Sequence, residues 1–353
     1  MERSIYRIID ANFNRAREAV RMMEEYCRFA LNCEPLAART KQLRHQLCDA
    51  VSKLDSQQLI ASRDTLNDVG VGCAVDNQMK RADLTDCFTA ASKRLTEALR
   101  VIAEVTQTSN ATVAAAIENL RYTAYTLEKD IALFSGIVGK FKHVKLYVII
   151  TSSQLLEVLR LTSNCATNGA DCIQLRAKNV EDDAFFELAC EFVKLCRREN
   201  VLSIINDRAD IAIASGADGA HLGQHDLPIE KVRQLQVTPL IIGKTTHSEQ
   251  QLLAACGQIP TYVSVGPVFA TSTKPNLAPA GLDYVTRSIK TLAPTGVSHI
   301  AIGGITLGNL EQVLNAGTER IAVCSAVTKV PDPASACRAF KEKIESFLAA
   351  KSS

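Results

Sequence analysis

Two rhythms of apolar spacing divide the chain, and they meet near residues 135–143, SGIVGKFKH. Before that point apolar residues recur at helical spacing throughout. After it, short β-branched runs alternate with amphipathic stretches such as Asp182–Arg198 and Pro333–Ala349. The runs are Lys145–Thr151, Cys172–Ala177, Leu202–Asp207, Gly219–Gly223, Leu240–Thr245, Tyr262–Val268, His299–Gly304 and Arg320–Val327. Eight strands alternating with helices predict a closed parallel (β/α)8 barrel, the TIM-barrel architecture, rather than an open doubly wound sheet. No G-x-G-x-x-G follows the first strand, which counts against a dinucleotide fold. The expected organisation is an all-helical domain over 1–138, a linker over 139–143 and a barrel over 144–353.

The helical part contains an internal repeat. Residues 14–21, NRAREAVR, line up with 93–100, KRLTEALR, and Leu43-Arg44-His45 with Leu120-Arg121-Tyr122. Each unit reads as a long helix followed by a second one. Glu18, Arg21 and Glu25 share one helical face, and Glu97, Arg100 and Glu104 repeat it. Asp10 and Thr89 are expected as N-terminal caps or first-turn residues.

Composition narrows the function. In 353 residues the net charge is only +2, so no basic field marks a nucleic-acid partner. No apolar run is long enough to cross a membrane, and the opening MERSIYRIIDANFNRAREAV lacks the apolar core of a secretory signal. The 12 cysteines contain no C-x-x-C pair; Cys27, Cys48, Cys172, Cys196, Cys256 and Cys324 sit in apolar periodic stretches, as small buried hydrophobes do. A reducing, cytoplasmic setting is expected.

Barrel enzymes carry their chemistry at the C-terminal ends of the strands. Strand two ends Gln174-Leu175-Arg176-Ala177-Lys178, and alternation sets Gln174, Arg176 and Lys178 on the interior side. Two cations there are costly unless an anion meets them, the other reading being a structural ion pair. Strand three ends Asn206-Asp207, and strand four leads into His221-Leu222-Gly223-Gln224-His225-Asp226. Two carboxylates at adjacent strand ends suit Mg²⁺, which takes oxygen ligands and bridges phosphates; alone, Asp207 could cap the helix that follows. His221 is expected to pack inside the barrel. Strand five gives Gly243-Lys244-Thr245-Thr246-His247, and strand six leads to Phe269, Thr271, Thr273 and Lys274, an anion-binding loop. Gly303-Gly304 and Cys324-Ser325 end strands seven and eight, where backbone N–H groups and helix N-termini cradle phosphate. The set amounts to two anion subsites, one for a diphosphate with metal and one for a monophosphate. That suggests a transferase with pyrophosphate as leaving group.

The ordered runs QLRAK, ND, HLGQHD, GPVFATSTK and IGGI with a closing Ser resemble thiamine-phosphate synthase over about residues 144–349. The resemblance implies that Gln174, Arg176, Lys178, Asn206 and Lys274 hold a pyrimidine diphosphate and that Asp207 and Asp226 hold Mg²⁺. It implies Thr271 and Thr273 in the region of a thiazole phosphate, cradled by Gly304, Cys324 and Ser325. Arg176, Lys178 and Lys274 would be the catalytic cations, stabilising pyrophosphate as it leaves, and the thiazole nitrogen would then attack without a base. Thr245 stands where the family usually has serine, and Phe269 where a tyrosine is frequent.

Two other readings share parts of this pattern. A paralogous thiazole tautomerase has the barrel but lacks the joint set Lys178, Asp207, Asp226 and Lys274. A non-catalytic sensor of phosphate ligands would keep the subsites without turnover. The helical part resembles a domain fused to some thiamine-phosphate synthases and labelled as a candidate kinase of the pyrimidine precursor, yet it has no G-x-x-x-x-G-K-[ST] loop. It reads either as a docking or homo-oligomerisation module with paired Glu/Arg faces, or as an anion site using Arg21, Arg44, Arg100 and Arg121.

Overall fold

The computed structural model describes residues 2–73, 80–235, 238–271 and 277–352. The chain forms two compact units, one up to Ala132 and one from Leu133 onward.

In the first unit, α1 (Glu2–Glu25) continues through a π-helical turn, Tyr26–Ala30, and is followed by α2 (Glu34–Val51), short α3 (Ser56–Ala61), α4 (Leu84–Gln107) and most of α5 (Ala111–Lys142), whose residues from Leu133 onward belong to the second unit. The spacing of Ile9, Ala16, Val20 and Met23 on α1, and of Phe88, Ala91, Leu95, Leu99 and Ile102 on α4, lines one apolar stripe on each helix, and both stripes are buried. Each large side chain so buried contributes about 1.5–3 kcal/mol. The true caps are Asp83, which accepts from Asp86 N to start α4, and Asp55, which accepts from Gln57 N and Gln58 N to start α3. Asp10 and Thr89 are not caps. Both lie inside their helices because each helix begins earlier than the repeat suggested: Asp10 is buried and pairs with Arg63, at 2.7 and 2.9 Å, while Thr89 bonds back to Thr85 O.

The second unit contains a closed, all-parallel barrel in the order β1 (Leu146–Ile150), β2 (Cys172–Leu175), β3 (Leu202–Asn206), β4 (Gly219–Leu222), β5 (Ile241–Thr246), β6 (Tyr262–Val265), β7 (Ser298–Ile302) and β8 (Ile321–Val323). Alternation sorts the side chains. Leu146, Val148, Ile173, Leu175, Ile205, Val263 and Val265 join the core between strands and outer helices. Tyr147, Ile149, Cys172, Ile204, Ile241, Tyr262, Ile300 and Ala322 fill the interior. Asn206 pairs in register with His221, His221 with Gly243, and Gly243 with Tyr262. A Cβ on Gly243 would lie 2.2 Å from the Tyr262 ring and 2.5 Å from His221 Nδ1, so only glycine leaves room for both rings.

The expected linker differs. Residues 139–142 are the last turn of α5, and Ile137 and Phe141 are buried in the interior cluster. Phe141 stacks on Tyr262 with ring centroids 4.2 Å apart and planes 7° from parallel, so this turn forms part of the barrel's inner packing.

Candidate active site

A cavity of about 320 Å³ opens at the C-terminal ends of the strands, in the range of small-molecule sites. Its lining brings together Gln174, Arg176, Lys178, Asn206, Asp207, Thr245, Thr271, Gly304, Cys324 and Ser325. Thr273 and Lys274 lie outside the described residues, and Asp226 lines an adjoining depression with Asp207, Gly223 and Thr245.

Each side chain is placed by its strand. Gln174 is the last inward residue of β2 and is buried, while Arg176 and Lys178 follow beyond the strand end. Asp207 follows β3 directly with φ +65°, a left-handed conformation uncommon for a non-glycine residue, held by its N–H donating to His221 O at 2.8 Å. Its carboxylate pairs with Lys178 rather than capping a helix; the next helix, Ala209–Ser215, has no side-chain cap. Asp226 accepts from Gly223 N. Lys244, buried on β5, donates to Gly223 O at 2.7 Å and Gln224 donates to Thr245 O, so the turn bearing Asp226 is tied to β5.

The two carboxylates sit together. Burial works to raise Asp207, but the bond and charge of Lys178 outweigh it, and its pKa falls below the ordinary carboxylate value. Asp226 is raised, first by burial and then by the charge of Asp207. Two carboxyl groups close enough for the charge of one to raise the other make a place where added positive charge is favourable. These oxygen donors fit Mg²⁺, which needs few protein ligands because it keeps several waters. Among the described residues no cluster of three or more His, Cys, Asp or Glu occurs, so a softer, all-protein metal cage is not formed by them.

Opposite this cluster, Gly303 and Gly304 turn after β7 with φ +106° and +65°. A Cβ on Gly304 would fall 2.5 Å from Ala270 O, so the turn packs against the loop after β6. That loop extends the β6–β7 pairing: Val268 N and Phe269 N donate to Ile302 O and Gly303 O. Phe269 packs against the outer core.

Sequence reasoning missed a polar chain along the wall of the pocket. Gln174 Nε2 donates to Tyr147 Oη (3.1 Å), which bonds Tyr262 Oη (2.9 Å), then His221 Nδ1 (2.9 Å); His221 Nε2 bonds Thr245 Oγ1 (2.9 Å). His221 is inside the barrel as expected, but as a member of this chain. The tyrosines lie at inward positions and carry no motif; only barrel closure brings them together.

In the helical unit, the four arginines of the anion-site reading are paired. Arg21 and Arg44 both meet the buried Glu24, at 3.3 and 3.0 Å, and Arg100 and Arg121 both meet Glu118. This favours paired faces over an open anion site. No described helix is long and apolar enough to cross a membrane.

A closed parallel barrel whose strand ends gather cations, carboxylates and a glycine turn around a cavity and the depression beside it has the form of a (β/α)8-barrel enzyme acting on small molecules. The comparisons sharpen that class. Residues 146–327 match the family described as thiamine monophosphate synthase, and residues 7–130 match the ThiD2 family. The thiamine-phosphate synthase of Rhodopirellula baltica is 39% identical over 332 residues, covering 92% of this chain and 88% of that one. That of a Synechocystis species is 40% identical over 334 residues, covering 94% of each. Among solved structures, a thiamine phosphate pyrophosphorylase from Pyrococcus furiosus matches with 31% identity and a TM-score of 0.54, covering 60% of this chain and 99% of that one. The chain belongs to the thiamine-phosphate synthase family, and its enzymatic class is that of the family, a transferase of thiamine biosynthesis.

Proposed function

We propose that the barrel joins 4-amino-2-methyl-5-hydroxymethylpyrimidine diphosphate to 4-methyl-5-(2-hydroxyethyl)thiazole phosphate, giving thiamine phosphate and pyrophosphate. The observation that carries this reading is the arrangement of charge around one cavity and the depression adjoining it. Arg176, Lys178, Asp207 and Asp226 gather at the ends of β2, β3 and β4, while Gly304, Cys324 and Ser325 form the turns after β7 and β8.

In this reading Arg176 and Lys178 hold the diphosphate, joined by Lys274 and with Asn206 beside them. Asp207 and Asp226 hold Mg²⁺, which when bound neutralises diphosphate oxygens. Lys178 bridges the two functions, because its partner Asp207 is also a proposed metal ligand. The cations meet charge that grows as the C–O bond to pyrophosphate breaks, so they stabilise the transition state more than the ground state. The electron-rich aminopyrimidine supports the methylene carbon left behind. Thr271 and Thr273, with the turn at Gly304, Cys324 and Ser325, hold the thiazole phosphate so that its ring nitrogen approaches that carbon. The nitrogen carries no proton, so no general base is required. His221 fits this account: both ring nitrogens are engaged, by Tyr262 and Thr245.

Asp207→Ala and Asp226→Ala test the assignment. Each is expected to lower kcat at least a hundredfold, the scale on which single electrostatic groups act, with an unchanged circular dichroism spectrum. Full activity of both variants without Mg²⁺ would remove the metal site from the account.

A further inference from the structure

We propose that Phe141, in the last turn of α5, closes the floor of the cavity from behind Tyr262, and that it thereby limits the size of the group the substrate ring carries opposite its diphosphate arm. The proposal rests on the reading above, that a pyrimidine diphosphate enters this cavity.

The floor is found by following exposure down the barrel. Arg176 and Lys178 stand at the mouth, beyond the end of β2. Further in, the lining passes to Ile149, Tyr147 and Tyr262, which are 7%, 2% and 0% exposed. Tyr262 is the first residue of β6, so the cavity ends at the N-terminal end of that strand. Cys172 and Ile241, which open β2 and β5, belong to the same interior cluster as Tyr262 and Phe141 but do not line the cavity. They and Phe141 fill the barrel beneath it.

Phe141 reaches this place because of its spacing on α5. Ile137 and Phe141 are one turn apart, so they share a helix face, and both are buried in the interior cluster. The Phe141 ring lies flat on that of Tyr262, with centroids 4.2 Å apart and planes 7° from parallel. Tyr262 Oη is tied to Tyr147 Oη and to His221 Nδ1, each at 2.9 Å. The Tyr262 ring is thus pinned at its hydroxyl and backed on one face by Phe141. Interiors are close-packed, so a shorter side chain at 141 leaves a void behind that face. The ring can then tilt about its hydroxyl into the void, which deepens the cavity at its floor and leaves the charged mouth as it was.

The ligand's own geometry says which group meets the floor. In 4-amino-2-methyl-5-hydroxymethylpyrimidine diphosphate the 5-arm and the 2-methyl lie across the ring from each other. With the diphosphate held at the mouth by Arg176 and Lys178, the 2-methyl is carried down the barrel towards Tyr262. A methyl suits the apolar lining there, and a closed floor leaves no room for a longer chain. Phe141 touches Tyr262 and not the substrate, so it is a positioning residue that sets specificity.

The test measures kcat/KM of the full chain for the 2-methyl substrate and for its 2-propyl analogue. The unaltered chain is expected to prefer methyl by at least about tenfold, the scale of one surplus methylene in a filled apolar pocket. Phe141→Val should cut that preference by roughly tenfold, mainly through a lower KM for the propyl analogue, and leave the KM for thiazole phosphate within about twofold. A purely structural role would lower activity towards both pyrimidines in proportion, because the same folded fraction serves both; an unchanged ratio would therefore overturn the proposal. Should the valine variant not fold, Phe141→Leu carries the same expectation to a smaller degree. The unaltered chain is an independent readout, since equal kcat/KM for methyl and propyl would show an open floor and overturn the proposal as well. No turnover of the 2-methyl substrate by the unaltered chain would overturn the reading above and this inference with it, whereas turnover with an unmoved ratio removes the role of Phe141 and leaves that reading standing.

Discussion

In the proposed reading Lys178 serves both binding and chemistry, and it pairs with Asp207 at the cavity. Lys178→Ala is expected to reduce kcat by about a hundredfold while leaving the KM for thiazole phosphate within a few-fold, measured by steady-state kinetics at saturating Mg²⁺. An effect confined to the thiazole KM would move the lysine to the other subsite. If the carboxylates hold the metal as proposed, they should set the acid limb of the pH profile. Asp226 is raised by burial and by Asp207, so it takes up a proton at a higher pH than an ordinary aspartate, and activity should fall as pH drops through that raised value. Added Mg²⁺ competes with the proton and should move the limb to lower pH; an acid limb indifferent to Mg²⁺ would argue against Asp226 as a ligand. A separate pH effect belongs to His299, whose Nε2 is buried without a hydrogen-bond partner. Burial, with Arg320 adding to it, pushes His299 down to about 4 from 6.5. The unfolded chain binds this proton first, so the folded state loses stability as pH falls from about 6.5 towards 4, at roughly 1.4 kcal/mol per pH unit. Urea unfolding at several pH values should show the slope, and His299→Leu should flatten it. Arg176, Lys178, Asp207 and Asp226 were legible in the sequence because charge at a strand end is unusual. Tyr147 and Tyr262 were not: an inward aromatic reads as core, and their 2.9 Å contact joins residues far apart in the chain.

At the scale of elements, all eight strands could be read from alternation and spacing, and their ends located the site. The segment 135–143 could not. Two glycines and a cluster of cations in SGIVGKFKH have the composition of a linker, and glycine costs about 1 kcal/mol in a helix interior. The helix persists because Ile137 and Phe141, one turn apart, bury themselves in the barrel interior. That contact is long-range and leaves no local signal. Phe141→Ala should therefore destabilise the barrel by about 3–5 kcal/mol, read from the midpoint of chemical unfolding, and should disturb Tyr262. A fragment beginning at Leu133 keeps this turn and is expected to fold and turn over; one beginning at Val144 lacks it and should show a lower Tm or fail to fold. Equal stability of the two fragments would mean that the turn only rests on the barrel.

For the whole molecule, the proposal assigns chemistry to the barrel alone. Every residue given a role lies in the second unit, and in the helical unit Arg21 and Arg44 are already paired with Glu24, and Arg100 and Arg121 with Glu118. The central claim is that one cavity holds two phosphorylated substrates and joins them with loss of pyrophosphate. A single-turnover experiment with the purified full chain, Mg²⁺ and both substrates tests it most directly, by following thiamine phosphate and pyrophosphate together. The account predicts that the two products form at the same rate and in a ratio of about one to one, as the proposed bond exchange requires, and that thiamine phosphate is absent when either substrate is left out. Tight binding of both substrates with neither product formed would contradict it, and would make the barrel a sensor of phosphorylated ligands instead of a transferase.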